Sequence, residues 1–532
     1  MEMPAGDQGQ GRRIAVVGAG VGGLVAAIRL ASAGCDVTVI EATATPGGKM
    51  RVVDSAAGPV DAGPTVLTLR GIFDRVFQAA GTRTEDHLTL IPLPLLARHW
   101  WPGSGPLDLH ADPEASAAAI AAFAGPRAEA DFRRFDARTR AALAAFDAPV
   151  MQAATLSPMT IARAAAGQPA LWPMLMPGMT LQRWLAMQFS DPRLRQLFGR
   201  YATYVGGCPQ ASPAVLALIW QAEAAGVWAV QGGMHRLAQV LASLAAARGA
   251  RFRYGVPVTR ITAHFGRVSG VGLADGTTVG ADHVVFNGDP AALVAGLLGP
   301  AAKAAVPARG TSPRSLSARV WSFAATPRGR NLAYHNVFFT DDPRAEFSPL
   351  ARGRSPQAAS FYVCAQDRAT ATPTGPERFE IILNAPPQSQ AASAAPTSEE
   401  DTRCHAMMLD TLARHGLTFD PPPGPAAMAT PATFARMFPA SLGAIYGLSP
   451  HGLTASFRRP GAATQLPGLW LCGGGVHPGA GVPMAARSGW NAAEAVLSSP
   501  PSPSRSGRMA MPGGMSMGSA TAAAAPSRSS GS

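Results

Sequence analysis

The chain has 532 residues, and because 47% of them are apolar and only 15% are charged, it has the material for a large core and more than one domain. Its formal net charge of +12 comes almost entirely from arginine, since only Lys49 and Lys303 are lysines. We find no Lys/Arg-rich run with interleaved aromatic residues, so nucleic-acid binding is disfavoured. Attraction to an anionic membrane surface and simple compositional bias both remain as explanations of the charge.

The ends of the chain and its cysteines exclude further classes of protein. Residues 1–12 have no apolar h-region, which predicts a flexible leader rather than a signal peptide. No stretch of about 20 apolar residues predicts a membrane-spanning helix. Residues 498–532 are rich in Ser, Pro, Gly and Ala, which predicts a disordered tail. The cysteines lack metal-ligand spacing, which favours reduced thiols in a cytoplasmic protein without a metal site. They are Cys35, Cys208, Cys364, Cys404 and Cys472.

The first predicted element is a βαβ unit with a parallel sheet. The stretches "RIAVVGAG", "GGLVAAIRLASAG" and "CDVTVIEA" are typical of strand, helix and strand, and Gly34 ends the helix. Gly18, Gly20 and Gly23 form a GxGxxG motif at the turn, where they permit close approach of a pyrophosphate and close helix packing. Glu41, after the second strand, is placed to bind ribose hydroxyls. The pattern predicts a dinucleotide site and does not distinguish NAD from FAD.

The middle of the chain predicts a different architecture. Residues 110–250 have mostly helical patterns, whereas residues 251–290 contain short strands separated by glycine turns. Further strands are predicted in residues 313–345 and 358–385. A loop over residues 386–400 then precedes another helix.

A second glycine cluster, "GGGVHPGAGVPM", runs from Gly473 to Met484, between a short apolar strand and a helical pattern. Pro478 is incompatible with another GxGxxG motif, which disfavours a second nicotinamide site. We interpret the cluster as support for the flavin half of one long FAD, whose adenine half would lie on the βαβ unit. His477 is a candidate for acid–base catalysis or for holding the turn.

Several motifs resemble a known family. The stretches "ATPGGKM" and "GPVDAGPTVLT" resemble the flavin side of FAD-containing amine oxidases and phytoene desaturases, and "GGVHPGAGVPM" resembles the C-terminal signature of bacterial carotenoid desaturases. The resemblance covers about residues 13–497. Longer stretches, among them "FGRYATYVGGCPQASPAVLALIWQAEAAGVW" and "VQGGMHRLAQ", are similar to the hydroxyneurosporene and methoxyneurosporene desaturases of purple phototrophic bacteria.

The resemblance implies which residues contact FAD, and it supplies no catalytic side chain. Lys49 stands where the family often carries arginine. The backbone of Val258 matches the position that usually holds the adenine. The expected FAD contacts are Gly18, Ala19, Gly20, Gly23, Glu41, Gly48, Lys49, Val258, Gly475, Val482 and Met484.

The resemblance also implies an α/β fold with three parts. A Rossmann-like, discontinuous FAD-binding domain is expected from residues 13–75, 228–295 and 440–497. A mixed-sheet substrate domain, with a helical subdomain that is a candidate for membrane association, is expected from residues 76–227 and 296–439.

The implied reaction is the introduction of the 3,4 double bond into a 1-hydroxy- or 1-methoxy-neurosporene, in spheroidene or spirilloxanthin biosynthesis. One hydrogen would leave as a hydride to FAD and the other as a proton. The implied partners are the hydrophobic carotenoid, a membrane surface, and quinone or oxygen as electron acceptor. The expected location is the cytoplasmic surface of the inner or photosynthetic membrane.

Two segments are candidates for membrane contact. Residues Pro169–Phe189 are rich in Trp, Met, Leu and Pro, with Arg183 as their only charge, and residues Ile91–Trp101 are similarly apolar. Each also fits an ordinary core segment. Three other functions stay open at this point: another carotenoid oxidation such as phytoene desaturation, a soluble flavin amine oxidase, and a carotenoid-binding protein without net oxidation.

Overall fold

The first strand–turn–helix–strand segment folds as the sequence predicts. The computed structural model describes residues 10–154, 156–388, 399–452 and 454–500. Most of the predicted leader and tail, and the middle of the loop predicted at residues 386–400, therefore lie outside the described residues. The described residues as far as Ser499 pack as one unit.

The strands occur in every part of this unit. In chain order they are β1 (Arg13–Val17), β2 (Asp36–Ile40), β3 (Val52–Val53), β4 (Val60–Asp61), β5 (Leu90–Pro92), β6 (Leu95–Trp100), β7 (Leu107–His110), β8 (Trp228–Val230), β9 (Arg251–Arg253), β10 (Val258–His264), β11 (Arg267–Leu273), β12 (Thr278–Gly280), β13 (His283–Phe286), β14 (Ser317–Arg328), β15 (His335–Phe338), β16 (Phe361–Ala365), β17 (Glu377–Ala385), β18 (Thr418–Asp420), β19 (Met428–Ala429) and β20 (Leu469–Leu471).

The helices are concentrated between β7 and β8. In chain order the α-helices are α1 (Val21–Ser32), α2 (Gly71–Ala79), α3 (Pro113–Ala124), α4 (Pro126–Phe146), α5 (Pro158–Ala166), α6 (Trp172–Leu175), α7 (Leu181–Gln188), α8 (Pro192–Gly199), α9 (Ile219–Ala224), α10 (Met234–Ala247), α11 (Pro290–Val294), α12 (Pro300–Lys303), α13 (Pro343–Ala351), α14 (Glu399–Arg414), α15 (Pro431–Met437), α16 (Ala455–Arg458) and α17 (Val482–Ser498).

A five-stranded parallel sheet, in the order β20–β13–β1–β2–β9, carries the cofactor half of the molecule. Ile14, Ala15 and Val16 of the central strand are all buried, as expected for a parallel strand covered on both faces. The predicted α/β class and Rossmann-like sheet are confirmed. The strands come from all three stretches that the sequence assigns to the FAD-binding domain, and the domain boundaries themselves stay a prediction.

A second, mixed sheet carries the substrate half. Its order is β18–β14–β17–β16–β15–β6–β7, with β19 also paired to β14, and the β6–β15 pair is parallel while its other pairs are antiparallel. The segment Ile91–Trp101 enters this region as β5 and β6. Trp100 and Trp101 are only 4% and 6% exposed, so this candidate for membrane contact is a core segment.

The helices α3 to α9 enclose an aromatic core in which the rings of Phe135 and Phe198 are 4.4 Å apart. Trp184, in the other candidate membrane segment, is buried, whereas Trp172 is 55% exposed. Among the described residues, no helix is both long and apolar enough to cross a bilayer.

Candidate cofactor and substrate site

The first glycine loop joins β1 to α1. Gly18 has φ +97°, which favours glycine, and a Cβ on Gly23 would lie 2.2 Å from the Gly18 carbonyl oxygen. Gly20 is the N-cap of α1, and no described side chain caps the helix there. The N–H groups at the start of α1 therefore remain available to a phosphate.

Glu41 follows β2 and is only 7% exposed. Its Oε2 accepts a hydrogen bond from the Ala19 N–H (2.7 Å), and its Oε1 accepts from the Thr43 N–H (2.9 Å). The Val256 N–H donates to the Glu41 carbonyl oxygen (3.2 Å), and Val258 begins β10 two residues later. The acid thus lies beside the first glycine loop, at the carboxyl end of the sheet, with Val258 close by in the chain.

The two glycine clusters meet in the structure. A Cβ on Gly489 would lie 2.0 Å from the Gly22 carbonyl oxygen, so α17 can cross α1 this closely only with glycine at that position. The side-chain amide of Asn287, just after β13, lies between the clusters: a Cβ on Gly20 or Gly473 would come within 2.8 Å and 2.7 Å of it. The sequence analysis missed Asn287. The available signal was the Asn-Gly-Asp run after an apolar strand.

The segment with Gly47, Gly48 and Lys49 lies on the first glycine loop, where the Gly47 N–H donates to the Ala19 carbonyl (2.9 Å). The Lys49 ammonium donates to the Ile445 carbonyl (2.5 Å). Burial, opposed by Asp289 and aided by Arg314 and Arg459, lowers the pKa of Lys49 to about 8. The side chain of Lys49 is therefore tied to the loop that contains Ile445.

A cluster of buried charges lies behind the second glycine cluster. Arg314 pairs with Asp289, and the two side chains are 7% and 9% exposed. Arg459 Nη1 donates to the Gly474 carbonyl (2.9 Å), and burial lowers the pKa of Arg459 to about 10. The cluster thus contains three cations, Lys49, Arg314 and Arg459, near the carboxylate of Asp289. The resulting positive potential suits an anionic group.

An apolar cavity of about 850 Å³, called the outer cavity below, lies between α2, α4, α5 and the start of α17. Apolar side chains from these four helices and from the neighbouring segments form most of its wall. They include Val76, Leu143, Phe146, Ile161, Pro483 and Met484. Such a wall suits an extended hydrocarbon and excludes water from it.

A smaller cavity of about 240 Å³, called the inner cavity below, adjoins the outer cavity, because six residues line both. These shared residues are Thr68, Tyr204, Ile219, Ala222, Gly481 and Pro483. The inner wall contains the buried charged residues Arg200, Glu223 and Glu346. The sequence analysis missed these three residues, since no motif marks them.

The start of α17 borders both cavities. Gly481, with φ +105°, is the N-cap, and no described side chain caps this helix. Val482 lines the inner cavity and Met484 lines the outer one. Gly475 packs so closely that a Cβ there would lie 2.8 Å from Pro290 Cδ. The residues expected on the flavin side thus lie where the two cavities meet or directly behind that point.

His477 lies in the wall of the outer cavity and is 5% exposed. Its Nε2–H donates to the Ala153 carbonyl (3.0 Å), and its backbone N–H donates to the Pro460 carbonyl (2.8 Å). Burial lowers the pKa of the imidazole, so it is neutral at pH 7. These contacts favour a role in holding the turn over a role in acid–base catalysis.

The described residues fit an FAD. The glycine loops leave two uncapped helix N-termini, the Glu41 carboxylate lies beside the first glycine loop, and the cationic cluster suits an anionic group. The residues that form these features come from both ends of the chain and, in the case of Arg314 and Asp289, from its middle.

Known proteins match this arrangement over nearly the whole chain. Residues 21–324 match the family described as flavin containing amine oxidoreductase. The hydroxyneurosporene desaturase of Cereibacter sphaeroides is 58% identical over 93% of this chain and 99% of its own length. The hydroxyneurosporene desaturase of Rhodobacter capsulatus is 53% identical over 91% of this chain and 97% of its own length.

Solved structures show the same fold. A putrescine oxidase with bound putrescine superimposes with a TM-score of 0.58 at 17% identity, covering 91% of this chain and 99% of the oxidase. At this identity the likeness concerns the fold alone.

Proposed function

The chain belongs to the flavin-containing amine oxidoreductase family, within its carotenoid desaturases, and from this premise we propose that it introduces the 3,4 double bond into a 1-hydroxy- or 1-methoxy-neurosporene. The enzyme is an FAD-dependent oxidoreductase that acts on carbon–carbon single bonds of a carotenoid. The single observation that carries the proposal is the apolar outer cavity, which runs up to the residues predicted to hold the flavin.

The chain's own residues would do three things in this reaction. The glycine loops and Glu41 would hold the cofactor, and the apolar wall of the outer cavity would align the polyene and exclude water. The start of α17 would set the position of the reacting carbons, since it borders both cavities. When bound, FAD supplies the oxidant, which takes up one hydrogen of the substrate as a hydride while the other leaves as a proton.

We also propose that the eleven predicted residues from Gly18 to Met484 contact FAD. Their support is that Gly48 packs on the first glycine loop, where a Cβ on Gly48 would lie 3.3 Å from the Gly20 Cα, and that Val482 and Met484 line the inner and outer cavities. His477 is proposed as a positioning residue. Quinone or oxygen would reoxidise the flavin.

We propose that the enzyme lies on the cytoplasmic surface of the inner or photosynthetic membrane. Three large apolar side chains beside the outer cavity support it: Met159, Trp172 and Met176 are 68%, 55% and 54% exposed. Their neighbours Pro158 and Leu175 line the cavity. This placement would let a carotenoid pass from the lipid into the cavity without crossing water.

Vesicle binding tests the membrane proposal. Replacing Met159, Trp172 and Met176 together by Glu should abolish flotation of the protein with vesicles of anionic phospholipid. A matched variant with Glu at Tyr254, Phe265 and Leu297, which are 36%, 94% and 49% exposed on the cofactor half, should still float. Equal flotation of both variants would contradict the proposal.

Pigment analysis tests the reaction. Expression in a bacterium that makes 1-hydroxyneurosporene should yield a pigment that is lighter by two hydrogens and absorbs at longer wavelength. A Gly20→Val variant should abolish the change, because the added side chain would collide with Asn287 at the first glycine loop.

The same experiment separates the other functions. If 1-hydroxyneurosporene stays unchanged while a phytoene-producing host gains colour, the chain catalyses a different carotenoid step. Peroxide formation with amines, and no change in either pigment, would indicate an amine oxidase.

A further inference from the structure

The inner cavity contains a polar cluster that the reaction so far leaves without a role. Arg200 and Glu223 line this cavity and are 9% and 5% exposed, and Tyr204 lies at its junction with the outer cavity. Buried charges at the end of an otherwise apolar channel are costly unless they are paired or bind a ligand. Their place in the wall therefore needs an explanation.

The cluster is held by short hydrogen bonds. The hydroxyls of Tyr201 and Tyr204 donate to the two oxygens of the Glu223 carboxylate, at 2.6 Å and 2.5 Å. Arg200 Nη2 donates to the Tyr204 hydroxyl at 3.0 Å. Burial raises the pKa of both tyrosines, so their hydroxyls stay protonated as donors.

The cluster contains a buried donor without a partner. Arg200 Nε is buried and has no hydrogen-bond partner among the described residues. A buried N–H without an acceptor costs free energy, and an acceptor supplied by a ligand would remove that cost. The carboxylate oxygens of Glu223 also retain lone pairs, because each oxygen accepts one tyrosine hydroxyl.

The inner cavity also places this cluster close to the reacting carbons. Val482 and Pro483, at the predicted flavin side, line the same cavity of about 240 Å³ as Arg200 and Glu223. In a 1-hydroxy substrate the oxygen is attached two carbons away from the C3–C4 bond that is oxidised. A group that holds this oxygen must therefore lie near the predicted flavin side, as this cluster does.

We propose that Arg200, Tyr204 and Glu223 recognise the terminal tertiary hydroxyl of the substrate and thereby select the 3,4 bond. The hydroxyl oxygen accepts a hydrogen bond from Arg200, and the hydroxyl group donates a hydrogen bond to the Glu223 carboxylate. Tyr204 orients the carboxylate and the guanidinium for these contacts. The proposal rests on the proposed function and names the specificity-determining residues of that same site.

The chemistry predicts an order of substrates. A hydroxyl offers both a donor and an acceptor, a methoxy group offers only an acceptor, and the unsubstituted end of neurosporene offers neither. A site built to bond a hydroxyl rejects analogues that lack it, since its buried polar groups are then left unpaired. We expect kcat/KM to fall from the hydroxy to the methoxy to the unsubstituted carotenoid, by about 10- to 100-fold overall.

Two tyrosines provide a matched pair of variants. Tyr201 and Tyr204 bond the same carboxylate at nearly the same distance, but only Tyr204 lines the cavity. Tyr204→Phe should reduce the preference for 1-hydroxyneurosporene over neurosporene by about tenfold or more. Tyr201→Phe removes a hydrogen bond to the same carboxylate but none to Arg200, and it should keep the preference within about twofold of the wild type.

The test compares both variants and the wild type as FAD-loaded enzymes, on 1-hydroxyneurosporene, its 1-methoxy ether and neurosporene. Bound FAD and melting temperature show whether each variant is folded. Equal losses of preference in the two variants would overturn the proposal. If Tyr204→Phe fails to fold, the wild-type series decides, because equal kcat/KM for all three carotenoids would also overturn the proposal. Failure to oxidise any carotenoid would instead overturn the proposed function.

Discussion

The region predicted to hold the cofactor, which consists of the two glycine clusters and the helix starts that follow them and is called the cradle below, differs in construction from the inner cavity. The cradle uses backbone and absent side chains: Gly22 and Gly489 let two helices cross, and the Gly20 turn exposes the start of α1. The inner cavity uses side chains, with Arg200 and Glu223 held by tyrosines inside an apolar region. The first design suits a cofactor bound through its phosphates, and the second suits discrimination between similar hydrocarbons.

The difference predicts how each region tolerates change. In the cradle the addition of one methyl group should be harmful, because backbone atoms occupy the space. Where buried polar side chains form the structure, as in the inner cavity, the loss of stability on changing a polar atom should depend on whether that atom has a hydrogen-bond partner.

Two glutamates on β17 test whether the cost of changing a polar atom depends on its having a partner. Glu377 forms a buried two-pronged pair with Arg368, at 2.6 Å and 2.7 Å, whereas both carboxyl oxygens of Glu380 lack a hydrogen-bond partner among the described residues. Burial raises the pKa of Glu380 well above its usual range, which favours the neutral carboxyl. Glu377→Gln should cost about 3–5 kcal/mol of unfolding free energy.

Glu380→Gln, the matched change on the same strand, should cost about 0.5 kcal/mol or less at pH 7, the lower end of the usual range. Chemical denaturation of the two variants measures both values. A loss of several kcal/mol for Glu380→Gln would show that this carboxyl is ionised and paired.

The crossing of α1 and α17 tests the cradle. Gly489→Ala adds a Cβ 2.0 Å from the Gly22 carbonyl oxygen. We expect a loss of about 1–3 kcal/mol of unfolding free energy, or more, and a reduced FAD content, since the helix ends move apart. The flavin absorbance of the purified protein and a thermal melt measure both effects.

Gly424→Ala is the control for this change, because a Cβ at Gly424 meets nothing within 4 Å and its φ of −84° is open to any residue. If the Gly489→Ala variant had the same stability and FAD content as the Gly424→Ala variant, the account of the crossing would be contradicted.

Buried histidines should make the stability of the fold sensitive to acid in both the cofactor half and the substrate half. Burial and, to a smaller extent, Arg200 lower the pKa of His99 and His335 to about 3, and burial lowers the pKa of His283 in the cofactor half to about 4. Below pH 6.5 the unfolded chain binds protons that the folded protein does not. Stability should therefore fall as the pH falls, by about 1.4 kcal/mol per pH unit for each histidine.

His335→Gln tests the acid effect, because glutamine keeps a polar group near the Tyr362 hydroxyl but does not titrate. The slope of unfolding free energy against pH, between about pH 6 and 5, should decrease by about one histidine's share. An unchanged slope would show that His335 is already protonated in the folded protein, or that it titrates alike in both states.

The sequence predicted the cradle because its signals are local. A strand, a glycine turn and a helix are adjacent in the chain at both ends, and Gly18, Glu41 and Gly475 follow from those patterns. Asn287 was missed because its role depends on contact with both glycine clusters, which the chain order does not reveal.

The inner cavity could not be predicted in this way. Arg200, Glu223, Glu346 and Asn384 reach one cavity from four separate segments, and none stands in a recurring spacing. Hydropathy was also a poor guide to membrane contact, because an apolar segment can lie either in the protein core or against lipid. Residues Ile91–Trp101 are core strands, and Pro169–Phe189 exposes only some of its apolar side chains.

A single-turnover reaction without oxygen tests the central claim most directly. FAD-loaded enzyme is mixed with 1-hydroxyneurosporene, and flavin absorption and carotenoid mass are followed together. The account predicts loss of the oxidised-flavin absorption with formation of one carotenoid lighter by two hydrogens per flavin. An unchanged flavin spectrum, or a product that differs from the substrate in any other way, would contradict the assignment as an FAD-dependent 3,4-desaturase.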